Sequence, residues 1–110
     1  MKIILVLVVV VFAAASTTSL RAADVKALWD ANCAQCHGKD GRADTKMGKA
    51  VSAKDLTDPA VQAAFSDAKA TDSIKNGVKE GGKTTMKAFA GKLTDDDIKA
   101  LVAYVRTLKK

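Results

Sequence analysis

The chain has 110 residues and a formal net charge of +6 at pH 7. A length of this order holds one small domain. Two cysteines and a single histidine fall short of the four ligands that a structural zinc site normally uses, so the composition excludes a zinc-stabilised module built from these residue types.

The N-terminal stretch is predicted to be an export signal. Lys2 precedes an apolar run over residues 3–15, and small and polar residues follow as far as residue 23. A positive start, a short apolar stretch and a small-residue exit are typical of a secretory signal peptide, whereas a membrane-spanning helix takes about 20 apolar residues. We therefore predict a cleaved signal over residues 1–23 and one domain over residues 24–110, with no stable membrane insertion after processing. The expected location is the periplasm or another exported compartment, with the thylakoid lumen less favoured; an uncleaved anchor is the alternative.

The first element of the mature chain is a predicted helix over about residues 24–34. The apolar residues at helical spacing are Val25, Leu28, Trp29 and Cys33. The helix leads into a Cys-x-x-Cys-His sequence formed by Cys33, Cys36 and His37, and this pattern is typical of covalent haem attachment. Because residues three apart share a helix face, both cysteines are expected to form thioethers to one haem c. His37 is expected to ligate the iron axially.

Three other interpretations of this motif are weaker. A thioredoxin-like redox pair is expected in a βαβ context, and no strand pattern lies nearby; a zinc site lacks a fourth ligand. A disulfide between Cys33 and Cys36 is compatible with export but leaves His37 without a role. The small size of the domain supports haem attachment, because domains of this size usually need a covalent or metal staple.

The centre of the chain is predicted to contain loops and two short helices. Residues 38–56 are expected to be mostly loop, with some turn. Asp58 and Pro59 are typical of an N-cap and a first helical position, which predicts a short helix after them. A second helix is expected to begin at Thr71-Asp72, to direct inward the apolar side chains that follow, and to stop at Gly77.

The last predicted elements are a loop and a C-terminal helix. Gly81 and Gly82 are expected to open a loop that carries Met86. Thr94 and Asp97 match a capping box at the start of the helix. The apolar residues that follow at helical spacing are Ile98, Leu101, Val102, Val105 and Leu108. No strand is predicted, so the expected fold class is all-α with about four helices.

Two segments, residues 33–38 and 86–98, give the chain its resemblance to the class I c-type cytochromes, specifically the small single-haem bacterial and lumenal forms. The resemblance extends over the whole mature chain. It implies a cytochrome c fold around one covalently bound haem c. It also implies that the Trp29 ring packs against Leu101 and Tyr104 of the last helix.

Met86 is the expected sixth ligand of the iron, since the family has a methionine at this position before the last helix. The chain has no second histidine, and the sulfur atoms that remain in the mature chain are those of Met47 and Met86. Met47 is expected to pack on the His37 side, whereas Met86 has enough chain to reach the opposite face of the haem. Core packing is the alternative role for Met86. The family usually has proline after this methionine; Lys87 stands there instead, so a looser loop is expected.

The expected function is soluble transport of single electrons between redox proteins, without enzymatic activity. Histidine and methionine on opposite faces leave no open position on the iron. The alternative from another class is a haem-c enzyme subunit, or a gas or redox sensor, with a labile sixth ligand. A purely structural disulfide domain is a third interpretation.

The expected partners are a donor and an acceptor redox protein with acidic docking surfaces, bound transiently by a monomer. Six lysines flank the two haem-bearing segments and form a predicted basic collar: Lys39, Lys46, Lys49, Lys83, Lys87 and Lys92. Such a collar would steer the protein to acidic surfaces, and a generic solvated surface is the alternative. Nucleic acid is not an expected partner of an exported haem protein.

Overall fold

The computed structural model describes residues 9–11, 13–14 and 22–110. Most of the predicted signal peptide, residues 1–23, therefore lies outside the described residues. Within the part of the chain that is described, no helix combines the length and the apolar character needed to cross a membrane.

Residues 22–110 form a mainly helical domain with one β-hairpin. The helices are α1 (Ala22–Asn32), α2 (Ala34–His37), α3 (Lys46–Ala50), α4 (Pro59–Ala63), α5 (Asp67–Asn76) and α6 (Asp95–Thr107). The strands β1 (Val78–Glu80) and β2 (Lys83–Met86) pair in antiparallel fashion between α5 and α6. The predicted helical character is therefore correct, but this range contains six helices rather than about four.

The core forms where α6 packs against α1 and α5. Trp29 of α1 is 2% exposed, and Ile98 and Leu101 of α6 are each 1% exposed. The ring centroids of Trp29 and Tyr104 lie 5.4 Å apart, and Leu101 belongs to the same buried cluster. The packing of Trp29 on the last helix, implied by the resemblance, is thus present.

Three helix boundaries follow the sequence signals closely. The Asp58 carboxylate accepts a hydrogen bond from the Ala60 amide at 2.8 Å, and Pro59 is the first residue of α4. Thr94 and Asp97 form the expected capping box at the start of α6, with both hydrogen bonds at 3.0 Å. Gly77 is the C-cap of α5, as predicted.

The start of α5 was predicted wrongly at Thr71-Asp72. The helix begins one turn earlier, at Asp67, because the Ser66 hydroxyl caps it by accepting a hydrogen bond from the Lys69 amide at 3.0 Å. Thr71 already lies inside the helix and donates its hydroxyl to the Asp67 carbonyl at 2.9 Å.

The helix α3 and the β-hairpin are two elements that were not predicted from the sequence. Residues 46–50 were predicted to be loop, but the Thr45 hydroxyl accepts a hydrogen bond from the Gly48 amide at 2.9 Å and starts a five-residue helix there. In the hairpin, Gly81 and Gly82 both have positive φ, 56° and 78°, which suits the two-residue turns that join antiparallel strands. The short strands are largely exposed and carry no clear alternation of apolar residues, so the sequence alone did not reveal them.

Arg106 links α6 to the segment that contains α4 and the start of α5. Its guanidinium donates to the Gln62 side-chain oxygen, the Phe65 carbonyl and the Asp67 carboxylate, each at 2.8 Å, and lies 4.4 Å from the centre of the Phe65 ring. Gln62 is 4% exposed and donates to the Val105 carbonyl at 2.9 Å. This network fixes one wall of the cavity described next, since Phe65 and Val105 both line that cavity.

Candidate functional site

A cavity of about 660 Å³ lies between α1, α2, α5, α6 and the hairpin. The four predicted haem residues, Cys33, Cys36, His37 and Met86, all line it. Its apolar lining includes Leu56, Val61, Phe65, Ile74, Phe89 and Leu101. A mostly apolar cavity with a few polar groups, within the range of about 300–1,000 Å³, is typical of cofactor sites.

The Cys-x-x-Cys-His segment is a tight turn that follows α1. The Cys33 amide donates to the Trp29 carbonyl at 2.8 Å, which continues the helical ladder, and the His37 amide donates to the Cys33 carbonyl at 2.9 Å. The indole N–H of Trp29 donates to the Gly38 carbonyl at 2.9 Å. These bonds hold both cysteines and the histidine on the cavity wall.

Thr45 holds this turn from the other side, a role that the sequence analysis missed. Its hydroxyl donates to the carbonyl oxygens of Gln35 and Cys36, at 2.9 Å and 2.8 Å, while it accepts from the Gly48 amide. A Cβ on Gly48 would overlap the Cys36 carbonyl oxygen, so α3 packs directly on the turn. Threonine is one of the residues preferred at helix N-caps, so the residue type of Thr45 was the one signal for a helix start that the sequence offered.

Both cysteines are free thiols in this structure and are partly buried. Burial raises the pKa of the Cys33 thiol to about 11, with a smaller contribution from the neighbouring Cys36. A neutral thiol is a poor metal ligand and a poor redox nucleophile. Among the described residues there is also no group of three or more histidine, cysteine, aspartate or glutamate side chains placed to hold a metal ion. The described residues therefore offer no cluster in support of the zinc interpretation, and the raised pKa of Cys33 does not favour a thioredoxin-like redox pair.

His37 is partly buried beside Trp29, with the two ring centroids 5.7 Å apart. Burial lowers the pKa of the imidazole, and a backbone interaction with Lys54 opposes that effect. The ring is therefore neutral at pH 7, the form in which a ring nitrogen can ligate iron. Its Nδ1 atom is buried without a hydrogen-bond partner. A buried neutral imidazole, two free thiols and an apolar cavity fit a covalently attached haem.

The structure brings both candidate methionines to the same cavity. Met86 is the last residue of β2, is half-buried and pairs with Val78 across the hairpin. Met47 lies on α3 and is 44% exposed. The helix α3, which carries Met47, packs on the turn that carries His37, whereas Met86 lies on the hairpin.

The predicted basic collar only partly borders the cavity. Of its six lysines, Lys87 lines the cavity. Three lysines outside the prediction line it as well: Lys54, Lys69 and Lys79. Lys49 forms an ion pair with Asp44 at 2.9 Å, which lowers the pKa of that carboxyl and offsets the lysine charge.

Comparison with known proteins identifies the family. The family model described as "Cytochrome C oxidase, cbb3-type, subunit III" matches residues 20–105. Cytochrome c-553 of Helicobacter pylori strain 26695 is 37% identical over 108 residues, which is 98% of each chain. The chain belongs to the class I c-type cytochromes.

Solved structures agree with this assignment. The cytochrome superposes on the KustC0563 c-type cytochrome with a TM-score of 0.69 and 36% sequence identity, over 77% of this chain and 96% of the other. The cytochrome c fold predicted from the sequence is confirmed. The predicted cofactor, covalently bound haem c, and a role in electron transfer are confirmed at the level of the family.

Larger proteins contain a similar unit. The cbb3-type cytochrome c oxidase subunit FixP of Azorhizobium caulinodans is 37% identical to the cytochrome over 81 residues. The FixPc subunit of Rhizobium leguminosarum is 36% identical over 77 residues. The cytochrome spans only about a quarter of the length of either subunit.

Proposed function

We propose that this cytochrome is an exported carrier of single electrons rather than an enzyme. In this proposal Cys33 and Cys36 attach one haem c through thioethers, and His37 and Met86 are the axial ligands of the iron. The observation that carries the proposal is the convergence of these four side chains on one apolar cavity, although Met86 is separated from the other three by half of the domain.

Each side chain has a distinct task in this arrangement. The two cysteines hold the cofactor covalently, and the Trp29 and Thr45 hydrogen bonds fix the turn that bears them. When bound, haem c supplies an iron that gains and loses one electron. A thioether ligand such as Met86 raises its reduction potential and closes the sixth position. The buried apolar residues exclude water, which limits the reorganisation that accompanies electron exchange.

Met86 is favoured over Met47 by position and burial. The close approach of Gly48 to the Cys36 carbonyl packs α3 on the turn that ends at His37, which supports a position for Met47 on the His37 side. Met86 is the better buried of the two and enters from the hairpin. Both observations support Met86 as the ligand on the face opposite His37.

The test uses the purified holoprotein with Met86→Ala and Met47→Ala as a matched pair. Methionine ligation gives the oxidised protein a weak far-red sulfur-to-iron charge-transfer band and gives the reduced protein a strongly upfield-shifted methyl resonance. We expect Met86→Ala to abolish both signals and to open the iron to carbon monoxide, while Met47→Ala retains them. Ready binding of carbon monoxide by the wild-type protein at neutral pH would contradict the closed site.

The proposal includes export and cleavage of residues 1–23. Expression of the full sequence in a bacterium with a haem-attachment system should give a secreted protein whose intact mass equals residues 24–110 plus one haem. A mass that retains the first 23 residues would show an uncleaved anchor instead.

We further propose that the lysines steer the monomeric carrier to acidic surfaces on its donor and acceptor. Because exposed charges are screened over about 10 Å at 0.1 M ionic strength, the bimolecular rate with an acidic partner should fall as salt rises. Lys83→Gln with Lys87→Gln should flatten this dependence. Lys49→Gln is the control, since Lys49 is already paired with Asp44. A rate independent of salt would leave the lysines as a solvated surface.

The similarity to the FixP subunits favours a second candidate, a haem-bearing component of a larger oxidase. The near-complete coverage of cytochrome c-553 favours the free carrier, since that relative has almost the same length. The native protein can be extracted separately from the membrane fraction and the soluble fraction of its source cells. Size-exclusion chromatography of these extracts distinguishes the free carrier from the oxidase component. Elution of the haem protein with an oxidase would support the second candidate.

A further inference from the structure

Gly77 lies against the backbone of the segment that carries Met86. It caps α5 with φ at 76°, and its amide donates to the Ser73 carbonyl at 2.9 Å. A Cβ at this position would lie 2.6 Å from the Met86 carbonyl oxygen, 3.0 Å from the Ala88 nitrogen and 3.1 Å from the Lys87 carbonyl carbon. Real Cβ atoms do not approach backbone atoms so closely, so only glycine permits this contact.

The chain beyond Met86 is bound to the end of the same helix. The Phe89 amide donates to the Ile74 carbonyl at 2.9 Å, and the Ala90 amide donates to the Lys75 carbonyl at 3.1 Å. The last carbonyl groups of a helix have no partners within the helix, and here the Met86 segment satisfies two of them. The Phe89 ring is 3% exposed and packs in the core.

Met86 is therefore fixed from both sides. The hairpin pairs it with Val78, and the segment after it is held by α5. The family's proline after the methionine would stiffen this segment by restricting one φ angle. With Lys87 at that position, the contacts with Gly77 and the α5 carbonyl groups supply the constraint.

We propose that Gly77 is a positioning residue for Met86: its missing Cβ lets the 86–88 backbone pack against the end of α5 and so sets where the Met86 sulfur enters the cavity. This inference rests on the proposed function, in which Met86 ligates the iron. It extends that function by assigning the geometry of the ligand to a residue that packs on the backbone of the segment carrying Met86.

The test compares three Gly→Ala variants of the holoprotein. Gly82 and Gly91 have nearly the same φ as Gly77, 78° and 81°, but a Cβ there would meet nothing within 4 Å. All three variants place a side chain at a positive φ, and among them Gly77→Ala alone adds the collision with the Met86 segment. We expect Gly77→Ala to lose the far-red charge-transfer band and to bind carbon monoxide, while Gly82→Ala and Gly91→Ala retain the band.

A purely structural role would lower the unfolding midpoint of all three variants without affecting the band selectively. Retention of the band in Gly77→Ala, at the intensity found in Gly82→Ala, would overturn the inference. Failure of the proposed function is distinguishable, because the wild-type protein would then lack the band or Met86→Ala would keep it.

Hydrogen exchange in the wild-type holoprotein provides a measurement that does not depend on folding of the Gly77→Ala variant. We expect the amides of Phe89 and Ala90 to exchange on the order of a hundredfold more slowly than the amide of Gly82 at the exposed turn, since an amide bound to the end of α5 exchanges only when that contact opens. Equal exchange rates would show that α5 does not hold the segment, and the inference would fail.

Discussion

The two segments that carry the proposed iron ligands are held in different ways. The Cys33–His37 turn is fixed mainly by neighbours in sequence, through the Trp29 carbonyl, the Trp29 indole and the Thr45 hydroxyl. The Met86 segment is fixed by the hairpin and by the C-terminal end of α5. One ligand therefore lies on a turn that continues α1, and the other lies on a hairpin strand that leads into a segment bound to the end of α5.

The largest effect is expected from replacing both cysteines of the turn. Cys33→Ser with Cys36→Ser should remove covalent attachment, because serine cannot form the thioether. A small domain without its staple is marginally stable, so we expect loss of haem on acid-acetone extraction and a strongly lowered unfolding midpoint. The single variants serve as controls and should each keep one thioether. Haem that stays bound to the double variant after denaturation would contradict this prediction.

Substitutions of Trp29 measure how far the Cys33–His37 turn depends on the core of the domain. Trp29→Ala should lower the free energy of unfolding by about 3–5 kcal/mol, as expected for the loss of a large buried side chain. Trp29→Phe keeps a ring but leaves the buried Gly38 carbonyl without its donor, which should cost about 1–3 kcal/mol. Chemical denaturation of the holoprotein measures both. An unfolding midpoint that barely moves in Trp29→Ala would show that the ring does not support the turn.

Thr45 and Thr85 form a matched pair, one beside each ligand segment. Thr45→Val removes the N-cap of α3 and the donor to the Cys36 carbonyl, and should cost about 1–2 kcal/mol of unfolding free energy. Thr85 makes one long bond, 3.3 Å, to the Val78 carbonyl. Thr85→Val should therefore cost at most about 0.5 kcal/mol, as is usual for substitutions away from tight contacts. Equal losses in the two variants would remove the proposed difference between the segments.

The smallest effect is expected at Asp55, and it concerns how the stability of the protein depends on pH. The Thr57 hydroxyl and amide donate to its carboxylate at 2.7 Å and 2.9 Å, and these bonds hold the pKa of Asp55 below its usual value. A lowered folded pKa stabilises the protein above the ordinary pKa of about 4, and this contribution is lost as pH falls through the lowered value. The next residue, Leu56, donates its amide to the Gly41 carbonyl in the loop after His37.

Asp55→Asn should therefore make the unfolding midpoint less sensitive to acid, and Thr57→Val, which removes the hydroxyl donor, should act in the same direction. Denaturant titrations between neutral pH and acid measure the effect. An unchanged acid dependence in both variants would show that this carboxylate does not contribute.

The sequence determined the features that depend on short-range chemistry. Three such features each lie within a few residues, and each is compatible with few local conformations. They are the Cys-x-x-Cys-His spacing, the Asp58-Pro59 helix start and the Thr94–Asp97 capping box. The family and its cofactor follow from the motif, so both were predictable. The predicted signal over residues 1–23 rests on the same kind of local pattern and stays a prediction.

Only the tertiary structure decided how the distant ligand is placed. The hairpin has short, exposed strands in which apolar and polar side chains do not alternate. The pairing of these strands depends on the Gly81-Gly82 turn and on α5. The close approach of Gly77 to the Met86 backbone depends on how the hairpin folds back on the end of α5, and no residue pattern records a distance between backbones. Ser66, Thr71 and Asp72 are all residue types that can cap a helix, and the structure shows that Ser66 caps α5. These outcomes depend on the free energy of the assembled domain rather than on local preference.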